Sequence, residues 1–357
     1  MHFKITYSLH GMHSIRLTDM PSAIEIGPDK NLRFWQREVL HEGKMVTSLC
    51  CDLTRIIEPP RRAKEALLAL LKNQLILDKP IQNGLPYMRD LETIIDITGR
   101  IRTNSYVPFE LLPSASKPWI SDASRDMGRT LKDHVKTLRW LQNVSGGHEP
   151  FAVVGSMFSE DGSEWRSLPS GFSARKSVLK GLDVSARRLE EAAPLLSEKE
   201  NEPLAHELVR EARELVGSAP RSSLLISFSA LEAGIKTLIS HLVPDANPLV
   251  EKIPSPPLVT LIQEVVPSIL ARCGHTAAYL PLNERAVKYL KKWVQQRNMI
   301  AHGFGQSVDR DELDSFTLFV TDILYIIDYY RGFSWACKNL TTDYFRDAEE
   351  HIGESTK

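Results

Sequence analysis

Several features are scarce in this chain of 357 residues, and each scarcity excludes a class of protein. Only four cysteines occur, and no two are spaced as CxxC, which argues against a disulfide framework and favours free thiols in a reducing compartment. No stretch reaches the roughly 18 apolar residues that a membrane span requires, and the N-terminus lacks the apolar core of a signal peptide. We therefore expect a cytoplasmic protein that does not use a membrane.

Net charge and cofactor motifs are lacking as well. The 44 basic and 45 acidic residues nearly cancel, so a nucleic-acid surface would have to be a local basic patch. No Gly-rich phosphate loop or nucleophile elbow occurs. Among 11 histidines the only close pair is His10 and His13, and no Cys or Asp completes a metal site around it. Surface histidines are the favoured interpretation, and we expect neither a metal nor another cofactor.

Alternating apolar residues predict a small sheet within the first sixty residues. In the segment 2–9, Phe3, Ile5 and Tyr7 share one face of a strand. A later hairpin is predicted to turn at Asp161-Gly162. No catalytic constellation lies in residues 1–180, which we expect to form an α+β domain for sensing, substrate selection or regulation. Further strand candidates are SIRLTD, AIEIG, NLRFWQ and MVTSLCCDL, followed by the helical PPRRAKEALLALLKNQ.

Helical spacing dominates from residue 181 onward. The successive amphipathic segments predict an all-α helical bundle over 181–345 and a tail over 346–357. The expected fold class is therefore α+β, with a mixed strand and helix domain followed by a helical bundle. Aromatic residues at helical spacing in the last helix favour core packing, with a dimer face as the alternative; they are Phe316, Phe319, Tyr325 and Tyr329.

The segment RNMIAHG, residues 297–303, ends a helix for which Asn283 is a good N-cap. Gly303 suits the left-handed position after a helix, so an ordinary terminus explains part of the segment. It does not explain Arg297, which shares the apolar stripe of the helix. A long charged side chain there must be paired or must reach a cleft. The predicted stripe comprises Val287, Leu290, Val294 and Ala301.

Three residues are candidate neighbours of Arg297. His302 lies about 140° around the helix from it, and Asn298 lies one turn before His302, where it could orient the imidazole ring. Glu232, at the edge of the apolar stripe of an earlier helix, could pair with Arg297 inside the bundle. The alternative is a surface pair between Glu232 and Lys236, four residues later.

The spacing from Arg297 to His302 is weak evidence by itself. The same spacing occurs at Arg129–His134 and Arg346–His351. Basic residues elsewhere could also contact phosphate, although a solvated helix face is the favoured interpretation for them. They are the run RRAK at 61–64 and the set Arg129, Lys132, Lys136 and Arg139.

The segment RNMIAHG near the end of a bundle helix, with SALEAGIKTLI on an earlier helix, resembles the HEPN superfamily over about residues 200–345. Its motif is R-x4-6-H, often with a polar residue after the Arg, and Arg297, Asn298 and His302 match it. The resemblance implies metal-independent endoribonuclease activity, commonly in a dimer that brings two motifs to one composite site. It also implies roles in toxin–antitoxin and antiviral defence systems, although many relatives are inactive binding modules.

The residue types suit RNA cleavage. The 2′-hydroxyl of RNA can attack the neighbouring phosphate, histidine transfers protons near neutral pH, and a guanidinium stabilises the charge that develops. We therefore expect an endoribonuclease that leaves a 2′,3′-cyclic phosphate, with Arg297, Asn298, His302 and Glu232 as catalytic residues. RNA, a second copy bound through the bundle, and a regulatory or antitoxin protein are the expected partners. The alternatives are a catalytically silent oligomerisation or partner-binding module and an antitoxin-like partner of another enzyme.

Overall fold

The fold is α+β, as the sequence predicts. The chain divides into two compact units: Met1–Arg139 with Glu149–Asn201, and Trp140–His148 with Glu202–Lys357. The predicted boundary at 180 and the tail from 346 lie outside the described residues. The computed structural model describes residues 1–9, 24–41, 44–76, 107, 109–144, 151–169, 186–198, 200–250, 252, 257–276, 278–303 and 307–345.

The first unit contains a six-stranded antiparallel sheet with the order β2-β3-β4-β1-β5-β6. The central strand β1 buries Phe3, Ile5 and Tyr7, which confirms the predicted alternation. The later hairpin joins the sheet through β5, and its turn contains Gly162 at φ 89°. The predicted strand SIRLTD lies outside the described residues. The strands are β1 (His2–Leu9), β2 (Ile24–Gly27), β3 (Lys30–His41), β4 (Lys44–Ile56), β5 (Phe151–Ser159) and β6 (Arg166–Ser167).

The described residues of this part of the sequence form three further helices. Helices α1 (Arg61–Leu71) and α2 (Lys117–Leu141) lie between β4 and β5 in sequence order, and α3 (Ala186–Ser197) follows β6. The prediction that Arg139 lies on a solvated face of α2 is wrong, because this residue is only 1% exposed. Arg139 follows the buried Leu131 and Val135 at helical spacing, so it continues the apolar stripe and not the basic face that Arg129 starts.

The described residues of the second unit form five longer helices, which confirms the predicted helical pattern. In α6 a π-helical stretch, Leu261–Val265, precedes Pro267, whose missing N–H removes a donor from the regular ladder. The helices are α4 (Leu204–Leu215), α5 (Pro220–Leu242), α6 (residues 258–272), α7 (Glu284–Ala301) and α8 (Arg310–Tyr330), with a single turn at Asn247–Val250 and 3-10 turns at Phe109–Leu111, Pro244–Ala246 and Ser334–Asn339.

The core of the second unit is centred on α5 and α8. A Cβ on Gly234 of α5 would lie 2.5 Å from Leu324 Cδ2 of α8, so glycine permits the close approach of the two helices. Phe316, Phe319 and Tyr325 of α8 are buried, which confirms their prediction as core residues.

Helix α5 corrects the expectation that no segment could span a membrane. It is the one helix in the described part of the chain that is long and apolar enough to do so. Half of its apolar window is buried inside the second unit, and the core helix of a globular protein passes the same test of length and composition. Its apolar character therefore matches its central position in the bundle.

Candidate functional site

A groove of about 330 Å³ opens between α5, α6 and α7 in the second unit. Ligand pockets have volumes of roughly 300 to 1,000 Å³, so the groove suits a small ligand or one unit of a polymer. Of the four predicted site residues, Glu232, Arg297 and Asn298 line it, and His302 is not among its lining residues. The lining comprises Phe228, Ser229, Glu232, Pro257, Leu258, Val259, Thr260, Val294, Arg297 and Asn298.

Arg297 reaches the groove because it continues the buried stripe of α7. That stripe is Ala286, Leu290 and Trp293, and position 297 is the next residue at helical spacing. Trp293 stacks on Phe316 of α8 with ring centroids 4.7 Å apart, so the core ends one turn before Arg297. The predicted stripe missed Trp293 and wrongly included Ala301, which is exposed.

Arg297 is a partly exposed residue, and its guanidinium has one hydrogen-bond partner among the described residues. Its Nη1 donates to Asn298 Oδ1 at 3.1 Å. No ion pair within the described ranges joins Arg297 to a carboxylate. Because a guanidinium has five N–H donors, several of them have no protein acceptor in the part of the chain that is described. The predicted contact of Asn298 with the His302 ring is replaced by this contact with Arg297.

Glu232 lies in the same groove without pairing with Arg297. Its Oε1 accepts a hydrogen bond from Lys236 Nζ at 2.8 Å, and each of the two side chains is 25% exposed. The surface pair is therefore the alternative that forms, and the interior pair is wrong. Position 232 is one turn after Phe228 on α5, which places the carboxylate above the apolar floor of the groove.

His302 is the C-cap of α7, and its backbone N–H donates to the Asn298 carbonyl at 3.0 Å. Gly303 follows at φ 82°, and the Asn283 side chain accepts from the Ala286 N–H at 2.9 Å, so both predicted helix ends are confirmed. The His302 side chain is exposed. The predicted contact of Phe304 with Met299 lies outside the described residues.

The exposed face of α7 is basic. At 100° per residue, Lys288, Lys291 and His302 lie on the side of the helix opposite Arg297, and all three are exposed. Two other exposed cations of α7 have neighbours: Lys292 Nζ lies 2.9 Å from Glu312 Oε2, and Arg285 lies over the Tyr344 ring at 4.6 Å. Apart from Arg297, the helix carries four Lys or Arg residues and one acidic residue, so this face is a local basic patch on a nearly neutral chain.

The Arg129–His134 pair does not form a comparable site. His134 is buried, and burial, followed by the charges of Lys30 and Arg55, lowers its pKa from 6.5 to about 4. It is therefore unsuited to proton transfer near neutral pH. Arg346 and His351, like His10 and His13, lie outside the described residues. Among the residues that the structure describes, no three His, Cys, Asp or Glu side chains cluster as metal ligands.

The α6 wall of the groove was missed by sequence reasoning. It consists of Pro257, Leu258, Val259 and Thr260 at the start of the helix. A proline before an apolar periodic run marks a helix start, but this signal does not predict which helices lie next to each other in the fold.

No family model, curated protein or solved structure matches this chain. Its function is therefore inferred from the groove and from α7.

Proposed function

We propose that this protein is a cytoplasmic, metal-independent endoribonuclease of the HEPN type that acts as a homodimer, as a toxin or an antiviral defence effector. The observation that carries the proposal is the arrangement on α7. A guanidinium with one hydrogen-bond partner among the described residues lies in a groove, and an exposed histidine ends the same helix beside a basic face. Phosphate contacts from such cations hold the RNA backbone in register.

The reaction transfers the phosphate within the RNA. A base removes the proton from the 2′-hydroxyl, the 2′-oxygen bonds to phosphorus, and the bond from phosphorus to the 5′-oxygen breaks as an acid donates a proton to that oxygen. The products are a 2′,3′-cyclic phosphate and a 5′-hydroxyl. His302 from each of two protomers supplies the base and the acid, and Arg297 stabilises the negative charge on the equatorial oxygens. The sheet unit regulates access or selects the RNA.

A second candidate function is a catalytically silent module that binds a partner or forms oligomers. The position of His302 favours it, because within one chain the imidazole is exposed on the face of α7 opposite Arg297. The endoribonuclease therefore needs a second copy to complete its site, whereas the silent module does not. Activity that falls with the square of protein concentration upon dilution supports the dimeric enzyme.

The test is incubation of the full chain with tRNA and rRNA in the presence of EDTA, followed by analysis of the ends. Wild type is expected to release fragments with 2′,3′-cyclic phosphate, and Arg297→Ala and His302→Ala to lose at least about a hundredfold in rate. Arg272→Ala and His241→Ala are matched controls, because both residues are exposed on helices of the same unit and neither lines the groove.

Three results would overturn the proposal. Cleavage that persists unchanged in His302→Ala identifies a contaminating nuclease or another site. Cleavage of an oligonucleotide whose 2′-hydroxyls are replaced by hydrogen excludes the intramolecular attack. Absence of any cleavage, together with a stable dimer or a captured protein partner, supports the silent module.

A further inference from the structure

The groove contains charged and apolar groups in an order that phosphate binding alone does not require. Arg297 lies on its α7 side and the Glu232 carboxylate on its α5 side, with Phe228, Leu258 and Val294 as apolar walls. The ion pair of Glu232 with Lys236 carries no net charge, and carboxylate oxygens only accept hydrogen bonds, so a site that bound only the phosphates of the RNA backbone would gain nothing from Glu232. Its presence in the groove indicates a ligand that brings hydrogen-bond donors as well as an anion.

The unused hydrogen-bonding atoms of the groove have a defined pattern. Lys236 donates to Glu232 Oε1, and no described residue donates to Oε2, so the carboxylate keeps acceptor capacity. Arginine only donates, so the Asn298 atom that faces it at 3.1 Å must be the oxygen Oδ1. The two N–H donors of the Asn298 amide nitrogen then remain available to a ligand. The groove therefore offers a two-oxygen acceptor, an amide donor and a guanidinium around an apolar slot.

We propose that this groove is a nucleobase subsite that selects guanine next to the scissile phosphate, an inference that rests on the proposed endoribonuclease function. The Watson–Crick edge of guanine carries two adjacent donors, N1–H and the N2 amino group, which match the two oxygens of the Glu232 carboxylate. Its O6 accepts from the Asn298 amide. The adjoining phosphate binds Arg297, and the faces of the base contact the apolar walls.

The other three bases fit this pattern less well. Cytosine and adenine place one amino donor beside a ring nitrogen that accepts, and that acceptor would face a carboxylate oxygen. Uracil has a single N3–H between two carbonyl acceptors. A well-placed pair of hydrogen bonds to a base discriminates by roughly 1–3 kcal/mol, which corresponds to about a fivefold to hundredfold preference for guanine.

The decisive experiment measures binding of GMP, IMP, AMP, CMP and UMP to the full-length protein by calorimetry. GMP is expected to bind at least about fivefold more tightly than AMP, CMP or UMP. IMP, which lacks only the N2 amino group, is expected to lose severalfold. Glu232→Gln should remove the preference, because one carboxylate oxygen is replaced by a donor. Glu264→Gln, an exposed change on α6 outside the groove, should preserve it.

Equal binding of all the nucleotides, or a preference unchanged in Glu232→Gln, would overturn the guanine subsite. Because Glu232 is partly exposed, Glu232→Gln should unfold at the same temperature as wild type. A matching thermal unfolding curve therefore shows that a loss of GMP binding does not come from misfolding. Mapping of RNA cuts separates the two proposals. Cuts spread evenly over the four bases in wild type and in Glu232→Gln retain the ribonuclease and reject the subsite. Glu232-dependent GMP binding without any RNA cleavage retains the subsite and rejects the ribonuclease.

Discussion

Two charged regions of the second unit are built in opposite ways. The Asp328 cluster consists of Asp328, Trp140, His206 and Arg331. Trp140 Nε1 and His206 Nε2 each lie 2.7 Å from Asp328 Oδ2, and Arg331 Nη1 donates to Oδ1 at 2.9 Å. The Asp328 side chain is 2% exposed. In the groove, by contrast, the partly buried Arg297 has one hydrogen-bond partner in the part of the chain that the structure describes, Asn298.

The difference separates charges that maintain the fold from charges that are available to a ligand. A buried carboxylate is tolerated only when donors replace the lost water, and three donors do so for Asp328. A cation at the edge of the core can remain hydrated until a ligand replaces that water. The groove is therefore the place to expect binding, and the Asp328 cluster the place to expect stability.

The largest expected effect comes from breaking the Asp328 cluster. Asp328→Ala leaves the indole N–H, the imidazole and the guanidinium without their shared acceptor inside the bundle. Removing one partner from a buried charged network costs about 3–5 kcal/mol of the free energy of unfolding. Urea denaturation followed by circular dichroism measures this loss.

The matched control for this prediction is Asp245→Ala, which removes an exposed aspartate of the same unit. It should change the free energy of unfolding by no more than about 0.5 kcal/mol. If the two variants are equally stable, the hydrogen bonds of Asp328 do not support the fold, and the contrast with the groove is lost.

These regions also differ in how far the sequence could predict them. Local signals worked: the Asn283 cap, the left-handed Gly303 and the alternation of β1 all depend on a few neighbouring residues. The Asp328 cluster could not be predicted from the sequence, because Trp140 and Asp328 are 188 residues apart and no periodic pattern connects the two positions. Arg297 was placed on the correct stripe, but its partner was wrong, because a helical pattern gives the face of a residue and not the depth at which the core ends.

The second effect is on the pH dependence of the free energy of unfolding, and it concerns His134 of the first unit. This buried imidazole, unlike the carboxylate of Asp328, has a ring nitrogen, Nε2, with no hydrogen-bond partner among the described residues. Burial, and then the charges of Lys30 and Arg55, lower its pKa to about 4 in the folded state. Between pH 6.5 and 4 the unfolded chain therefore binds the proton first, and the free energy of unfolding falls as the pH falls.

The loss attributable to His134 should reach about 3 kcal/mol by pH 4 and be absent above pH 7. Urea titrations at pH 7, 5.5 and 4 compare wild type with His134→Leu, which should lack this part of the pH dependence. His241→Leu changes an exposed histidine and should retain it. Parallel pH curves for wild type and His134→Leu would contradict the neutral, buried imidazole.

A smaller effect tests whether the arginine at position 297 lowers the free energy of unfolding relative to an apolar residue. Position 297 extends the stripe of Ala286, Leu290 and Trp293, so Arg297→Leu places an apolar side chain at the edge of the core. We expect the free energy of unfolding to rise by up to about 1 kcal/mol while RNA cleavage is lost. Arg272→Leu, an exposed change at the end of α6, should affect neither. A loss of more than 1 kcal/mol in Arg297→Leu would mean that the guanidinium maintains the fold.

The smallest effect distinguishes the two candidate partners of Glu232. A double-mutant cycle on the free energy of unfolding, with each residue replaced by Ala, isolates the interaction within a pair. Glu232 and Lys236 should couple by about 0.3–0.5 kcal/mol, as partly exposed ion pairs four residues apart on a helix do. Glu232 and Arg297 should show no coupling outside the measurement error, because no ion pair joins them. Coupling of 1 kcal/mol or more between Glu232 and Arg297 would mean that the carboxylate already neutralises the guanidinium, and neither would then be free to recognise RNA.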